Sequence, residues 1–213
     1  MFKHFRHAAA AFAWAALCTT GVAQAQGLVN GGFELPGFVF TGTTDNYRDL
    51  FNGDSTTLAG WTVSDDGIGF VPYVFHSTRY PVHSGSYAVT LNQGSGIGTT
   101  VPLVAGQAYR LTTWLQNAAL NYPPSPLEVT VGGLHTTWSI PFDNSPYRLM
   151  SFDFTATTTD SAAVLTLFNG SSVGDFKAYT LDDVSLAAVP EPGAGVLMLA
   201  GLGVLGWMAR RRA

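Results

Sequence analysis

The chain of 213 residues has almost no cysteine, and its single one, Cys18, lies in an alanine-rich apolar segment near the N-terminus. Leu17 precedes it where a lipid-acylation site would want a small residue, so Cys18 is not read as a lipoprotein anchor. Without it the rest of the chain can form neither disulfides nor thiolate metal sites, and the fold must rest on core packing. Basic charge is scarce as well. Between residues 26 and 189 five basic residues face thirteen acidic ones, a net charge of −8, which repels phosphate backbones and argues against a nucleic-acid partner. Also missing are internal repeats, amphipathic helical periodicity, an HExxH pair and a GxSxG turn. His76 and His83 are too far apart for a helical zinc pair, and adjacent Asp65 and Asp66 would point to opposite faces of a strand. These absences leave little for catalysis, and the expectation is a protein that is not an enzyme.

What is present starts with the ends. Lys3 and Arg6 precede the apolar stretch 8–22 and the small-x-small sequence Ala23-Gln24-Ala25, the pattern of a cleaved secretory signal peptide over residues 1–25. Such a segment uses the Sec export machinery. At the other end, residues 193–209 carry no charge and Arg210, Arg211 and Arg212 follow at once. Seventeen residues at ~1.5 Å each reach about 26 Å, a short transmembrane helix whose basic end would stay cytoplasmic.

Val189-Pro190-Glu191-Pro192, the apolar span and the three arginines, in that order, resemble the PEP-CTERM sorting signal over 190–213. The resemblance implies recognition by an exosortase-type processing enzyme, a transient stay in the inner membrane through the C-terminal helix, and delivery to the cell surface or extracellular matrix of a Gram-negative bacterium that makes exopolysaccharide. Pro190, Glu191, Pro192, Arg210, Arg211 and Arg212 would be its sorting motif.

Residues 26–189 suit one domain. Alternation in Tyr109-Arg110-Leu111-Thr112-Thr113-Trp114-Leu115-Gln116 and in Leu127-Glu128-Val129-Thr130-Val131 predicts half-buried strands. Further runs at 28–33, 61–63, 68–75, 87–91, 97–101, 135–140, 148–154, 162–168 and 179–186, separated by turn formers, predict an all-β antiparallel sandwich with helix only in the two export segments. Asn169-Gly170-Ser171 matches a glycosylation sequon and reads more simply as a hairpin turn.

Leu28-Val29-Asn30-Gly31-Gly32-Phe33-Glu34, Gly60-Trp61-Thr62-Val63, His83-Ser84-Gly85-Ser86-Tyr87, Val104-Ala105-Gly106-Gln107-Ala108-Tyr109, Phe152-Asp153-Phe154-Thr155-Ala156 and Leu181-Asp182-Asp183-Val184-Ser185-Leu186 resemble, in this order, the domain of unknown function 642 and related galactose-binding-like jelly rolls. The stretch 35–59 is an insertion relative to that pattern, and Thr99-Thr100 stands where such domains carry a glutamine. The resemblance implies that the first and last strands lie together, often around a structural Ca²⁺.

Two candidate sites follow. Asp182 shares strand parity with Val184 and Leu186, which places it on the core side; with Glu34 at the end of the first strand it would ligate Ca²⁺, helped by carbonyls of residues 84–87, or both carboxylates would accept backbone N–H groups without any ion. Trp114 shares its face with Arg110 and Gln116, and Glu128 is expected one strand away. Together these would form a carbohydrate platform, unless Trp114 covers an apolar patch beneath a loop. Tyr47, Tyr80 and Tyr122 would line its rim. The leading expectation is an exported protein that associates non-catalytically with exopolysaccharide; the alternatives are a purely structural or adhesive protein and, last, a glycan-processing enzyme.

Overall fold

The computed structural model describes residues 28–38, 46–65, 72–77, 80–118, 125–141, 146–171, 178–189 and 194–211. The signal segment 1–25, Tyr122, Asp66, Pro190, Glu191, Pro192 and Arg212 lie outside them.

The strands are β1 (Tyr47–Asp49), β2 (Thr62–Asp65), β3 (Tyr73–His76), β4 (Tyr87–Leu91), β5 (Ser95–Leu103), β6 (Ala108–Asn117), β7 (Leu127–Val131), β8 (Leu134–Trp138), β9 (Arg148–Thr155), β10 (Asp160–Asn169) and β11 (Tyr179–Ala188). They form two antiparallel sheets, one of six strands in the order β1-β3-β4-β11-β6-β9 and one of five in the order β2-β5-β10-β7-β8. Both are built as period two requires. On β6 Tyr109, Leu111, Thr113 and Leu115 are buried, and on β10 Ala163, Leu165 and Leu167 are, so each sheet turns one apolar face inward. A single core cluster joins those faces, with Trp61, Ile97, Leu127 and Val129 from one side and Val89, Leu91, Leu111 and Leu181 from the other. The all-β antiparallel expectation holds.

Three local readings need correction. Residues 28–33 are a turn rather than a strand, with Asn30 at φ 57° and Phe33 at φ 59°. The hydrogen-bonding capacity spent there goes to Trp61, whose indole Nε1 donates to the Asn30 carbonyl at 3.0 Å. Glu34 therefore follows a turn instead of ending a strand. The segment 35–59 supplies β1, which the sequence pattern did not show. Asn169 is not an exposed turn acceptor: it ends β10 fully buried, and its Nδ2 donates to the Leu91 carbonyl at 3.1 Å, tying the two sheets together.

The sandwich lies in one compact unit within Ala23–Glu191, and the C-terminal helix α1 (Ala194–Arg211) belongs to another. In α1, Arg210 and Arg211 occupy the last turn, where they complement the carbonyl end of the helix dipole, and Arg211 lies 3.8 Å over the Trp207 ring. The apolar part ends at Ala209, giving about 24 Å of helix. Among the described residues no helix is long and apolar enough to cross a membrane. The expected span over 193–209 is thus a helix, but a short one, diluted by glycines and closed by arginines inside its own last turn.

Candidate functional site

The site is built on the outward face of the six-stranded sheet. Cross-strand registers place Thr180 opposite Gln116 and Asp182 opposite Trp114, with Thr90 opposite Thr180 on the other side. Gln116 and Trp114 face away from the core, so Thr180 and Asp182 do too. This overturns the parity argument that put Asp182 on the core side. The reason is a β-bulge: between Asp182 and Ser185 β11 uses one residue more than β6, and Asp183 takes a left-handed φ of 50°. Val184 and Leu186 beyond the bulge do face the core, and Asp182 before it does not. Thr113 donates to the carbonyl of Asp182 at 2.9 Å from the inner side, and the Val184 N–H reaches the Gly31 carbonyl at 2.9 Å. A Cβ on Gly31 would stand 2.0 Å from the Val184 carbonyl oxygen, so the turn at 30–33 can rest on the bulge only as glycine.

Asp182 is nevertheless fully buried, because the segment 80–87 is laid over it. Its Oδ2 accepts the N–H groups of His83 at 2.9 Å and Ser84 at 3.0 Å, and its Oδ1 accepts the N–H of Asp183 at 2.7 Å. Asp183 holds His83 Nδ1 at 2.6 Å and accepts from Ser84 Oγ at 2.9 Å. Glu34 Oε1 accepts the N–H groups of Ser86 at 2.8 Å and Tyr87 at 3.0 Å, across a Gly85 in the left-handed region whose Cβ would lie 2.3 Å from that same oxygen. Three carboxylates from two distant parts of the chain thus pin one loop. Burial pushes the Asp182 carboxyl up to about 6, with the Asp183 charge adding to the rise and the N–H donors opposing it. Burial, with Asp182 and Asp183 nearby, likewise raises the phenol of Tyr147 above its ordinary range.

Glu34 and Asp182 are therefore brought to the same loop, as the calcium expectation required, and ligand atoms of His83, Asp182 and Asp183 lie within 4.8 Å of one another. The donor set does not fit calcium as it stands. That ion wants roughly 6–8 oxygen ligands. Here residues 83–87 turn N–H groups, not carbonyls, toward the carboxylates, and a cation among those oxygens would face the hydrogens of His83, Ser84, Asp183, Ser86 and Tyr87.

The residues expected to form the carbohydrate platform are dispersed. Trp114 is half-buried under the loop, with the His83 imidazole stacked on it at 3.8 Å between ring centres and 14° between planes. The edge of the same imidazole meets Tyr147 at 5.8 Å. Arg110, six residues along β6 and roughly 20 Å from Gln116, forms a two-bond ion pair with Asp153 on β9 at 2.6 and 2.7 Å. Glu128 is in the other sheet: β6 lies between β11 and β9, while β7 lies between β10 and β8. Its placement beside β6 assumed that strands adjacent in sequence pair, and in a sandwich they often cross to the opposite sheet. Gln116 lines a cavity of about 320 Å³ beyond the loop, with Tyr73, Phe75, Tyr80, Thr90 and Thr180 around it. Of the two rim tyrosines among the described residues, Tyr80 reaches it and Tyr47 packs edge-on against Tyr73 at 5.8 Å on β1. The remaining lining had one signal in the sequence, the alternation of Tyr73 and Phe75.

Comparison with known proteins identifies the tail first: residues 188–212 match the PEP-CTERM protein-sorting motif, which marks an exported protein. No curated protein matches the chain at a significant level. Among solved structures, the apo form of a cyclase from Fischerella sp. is 20% identical, covers 80% of this chain and 100% of its own, and superposes with a TM-score of 0.59. A Stig cyclase, Fisc, from Fischerella sp. TAU, in complex with (3Z)-3-(1-methyl-2-pyrrolidinylidene)-3H-indole, is 18% identical over 78% of this chain and 98% of its own, with a TM-score of 0.56. The CBM22-1 xylan-binding domain of Paenibacillus barcinonensis Xyn10C, 14% identical over 78% and 96%, scores 0.43. At such identities the cyclase likeness speaks to the fold alone.

Proposed function

We propose that this is an exported, non-catalytic protein that associates with polysaccharide at the cell surface or in the extracellular matrix of a Gram-negative bacterium. In this reading the N-terminal segment takes it through Sec, an exosortase-type enzyme processes the tail near Pro190-Glu191-Pro192, and α1 engages the inner membrane until then. A helix with about 24 Å of apolar length does so with local thinning of the bilayer. The domain belongs, on the ordered motifs between Leu28 and Leu186, with galactose-binding-like jelly rolls of the domain-of-unknown-function 642 type.

One observation carries the binding reading: the outward face of the six-stranded sheet holds a cavity that the rings of Tyr73 and Tyr80 and the amide of Gln116 line, with buried Phe75, Thr90 and Thr180 behind them. Aromatic faces for the apolar side of a pyranose and fixed polar groups for its hydroxyls are what sugar recognition needs. Among the described residues the lining holds no carboxylate, imidazole or amine, so these residues offer no general acid or base near neutral pH, which favours binding over catalysis. Retention of residues 26–189 on immobilised polysaccharides tests this. Gln116→Ala should weaken it; retention equal to wild type on every glycan that the wild type holds would defeat the assignment of this cavity.

A further inference from the structure

The shape of that cavity says which part of a glycan it takes. We propose, resting on the glycan-binding reading above, that it receives one uncharged sugar ring at the end of a chain, not an internal stretch of polymer.

Size is the first argument. At about 320 Å³ the cavity is at the small end of the roughly 300–1,000 Å³ of small-molecule sites, the scale of a sugar ring and not of an extended chain. The second is closure. A polymer running along the strands would continue, on one side, from the cavity toward Asp182 and Trp114. The segment 80–87 stands in that path, its Tyr80 and Pro81 forming the cavity wall, its backbone bonded to Asp182 and its His83 stacked on Trp114. Since Glu34, Asp182 and Asp183 all hold this loop, the wall is fixed in place. The ring of Tyr80 is itself held edge-on to Phe75 at 5.4 Å.

The third argument is the chemistry of the lining. Thr90 and Thr180 are 1% and 4% exposed, and their Oγ1 atoms lie 3.0 Å apart. One hydroxyl donates to the other, so the pair satisfies itself within the wall, and the polar groups that a ligand meets are the phenol of Tyr80 and the amide of Gln116. Among the described residues no charged side chain lines the cavity, and the domain is strongly acidic, so these residues offer a uronate no counter-charge.

Calorimetric titration of residues 26–189 with the methyl glycosides of glucose, galactose and mannose, with neutral oligosaccharides of two to six units ending in the preferred sugar, and with glucuronate tests the proposal. The expected result is a dissociation constant for the preferred monosaccharide within about threefold of that for its longest oligomer, and no binding of glucuronate. Gln116→Ala should weaken binding at least tenfold. Tyr80→Ala, at a rim residue 44% exposed, should do the same without unfolding the domain. Affinity that climbs tenfold or more with chain length, glucuronate bound as tightly as glucose, or an unchanged Tyr80→Ala would overturn the end-on reading while leaving polysaccharide association intact. If the wild type binds no neutral glycan and no polysaccharide column retains it, the broader reading falls as well.

Discussion

The two outward faces of the sandwich are made of the same kind of strand and end up with different chemistry. On the five-stranded sheet a depression of about 350 Å³ runs beside Gly98, with Thr62, Ser64, Thr100, Val164 and Thr166 around it. It is slightly larger than the cavity on the six-stranded sheet, but among the described residues no aromatic ring lines it and no loop closes over it. Thr62 and Thr166 flank Gly98 from both sides in register, and small residues there leave the backbone open to solvent. On the six-stranded sheet the segment 80–87 crosses the face and converts a flat surface into a walled one. Volume therefore does not distinguish the two faces. The difference lies in a loop held by carboxylates, and the bulge at Asp183 is what aims Asp182 at it.

Removing Asp182 should break that difference most severely. Asp182→Ala orphans the N–H groups of His83, Ser84 and Asp183, at roughly 1–3 kcal/mol for each one that stays buried. A loss of at least about 3 kcal/mol in denaturant unfolding is expected, together with loss of glycan retention as the wall containing Tyr80 detaches. A variant as stable as wild type would mean that the loop is held by other contacts.

Acidification acts on the same residue in the opposite direction. The folded-state carboxyl of Asp182 sits at about 6, against an ordinary value of 3.8, so between those limits the folded protein holds a proton that the unfolded chain has released. Its contribution to stability therefore rises as pH falls from 7 to 5, by on the order of 1 kcal/mol. Asp54 works in the reverse sense and lower. Burial pushes it up, but hydrogen bonds from Thr57 and Thr56 outweigh that and hold it at about 2, so its contribution is present above pH 4 and is lost as pH falls through 2. Unfolding free energies at pH 7 and pH 5 for wild type and Asp182→Asn measure the first effect; equal slopes for the two proteins would show that Asp182 does not titrate in this range.

How much of this was legible in the sequence depended on distance along the chain. Strand periodicity is local, so β6, β7, β9, β10 and β11 are readable from their own alternation. Sheet membership is not local, and Glu128 was misplaced for that reason. Parity fails wherever one residue is added: Asp182, Val184 and Leu186 look equivalent in sequence, and only the left-handed Asp183 separates them. Glu34 and Asp182 both reach the loop at 83–87, a meeting that the family resemblance implied, but which of the two expected contacts is made, N–H or carbonyl, depends on how that loop turns at Gly85. The cavity itself joins β3, β4, β6 and β11, and beyond the alternation of Tyr73 and Phe75 no spacing in the sequence announces it.

Small effects on the other face sharpen the comparison. Thr62→Ala and Thr166→Ala remove side chains that meet little besides solvent and neighbouring strands, so each should shift unfolding by no more than about 0.5 kcal/mol and leave glycan retention unaltered. Weakened retention in either variant would make the five-stranded face a second binding surface and end the asymmetry drawn here.

The smallest effect expected is that of calcium, and it bears on what holds the wall. An ion that binds only the folded state at a hundredfold excess over its dissociation constant adds about 2.7 kcal/mol, which a melting curve records easily. If residues 83–87 are held as the hydrogen bonds show, the carboxylates of Glu34, Asp182 and Asp183 are already engaged by donors of positive partial charge, and calcium would have to displace those donors and rotate the loop to present carbonyls. The melting temperature of residues 26–189 should then be the same in chelator and in millimolar calcium. A rise that disappears in Asp182→Ala would instead make the loop a calcium-ordered element, and the wall of the cavity would depend on the ion rather than on backbone N–H groups.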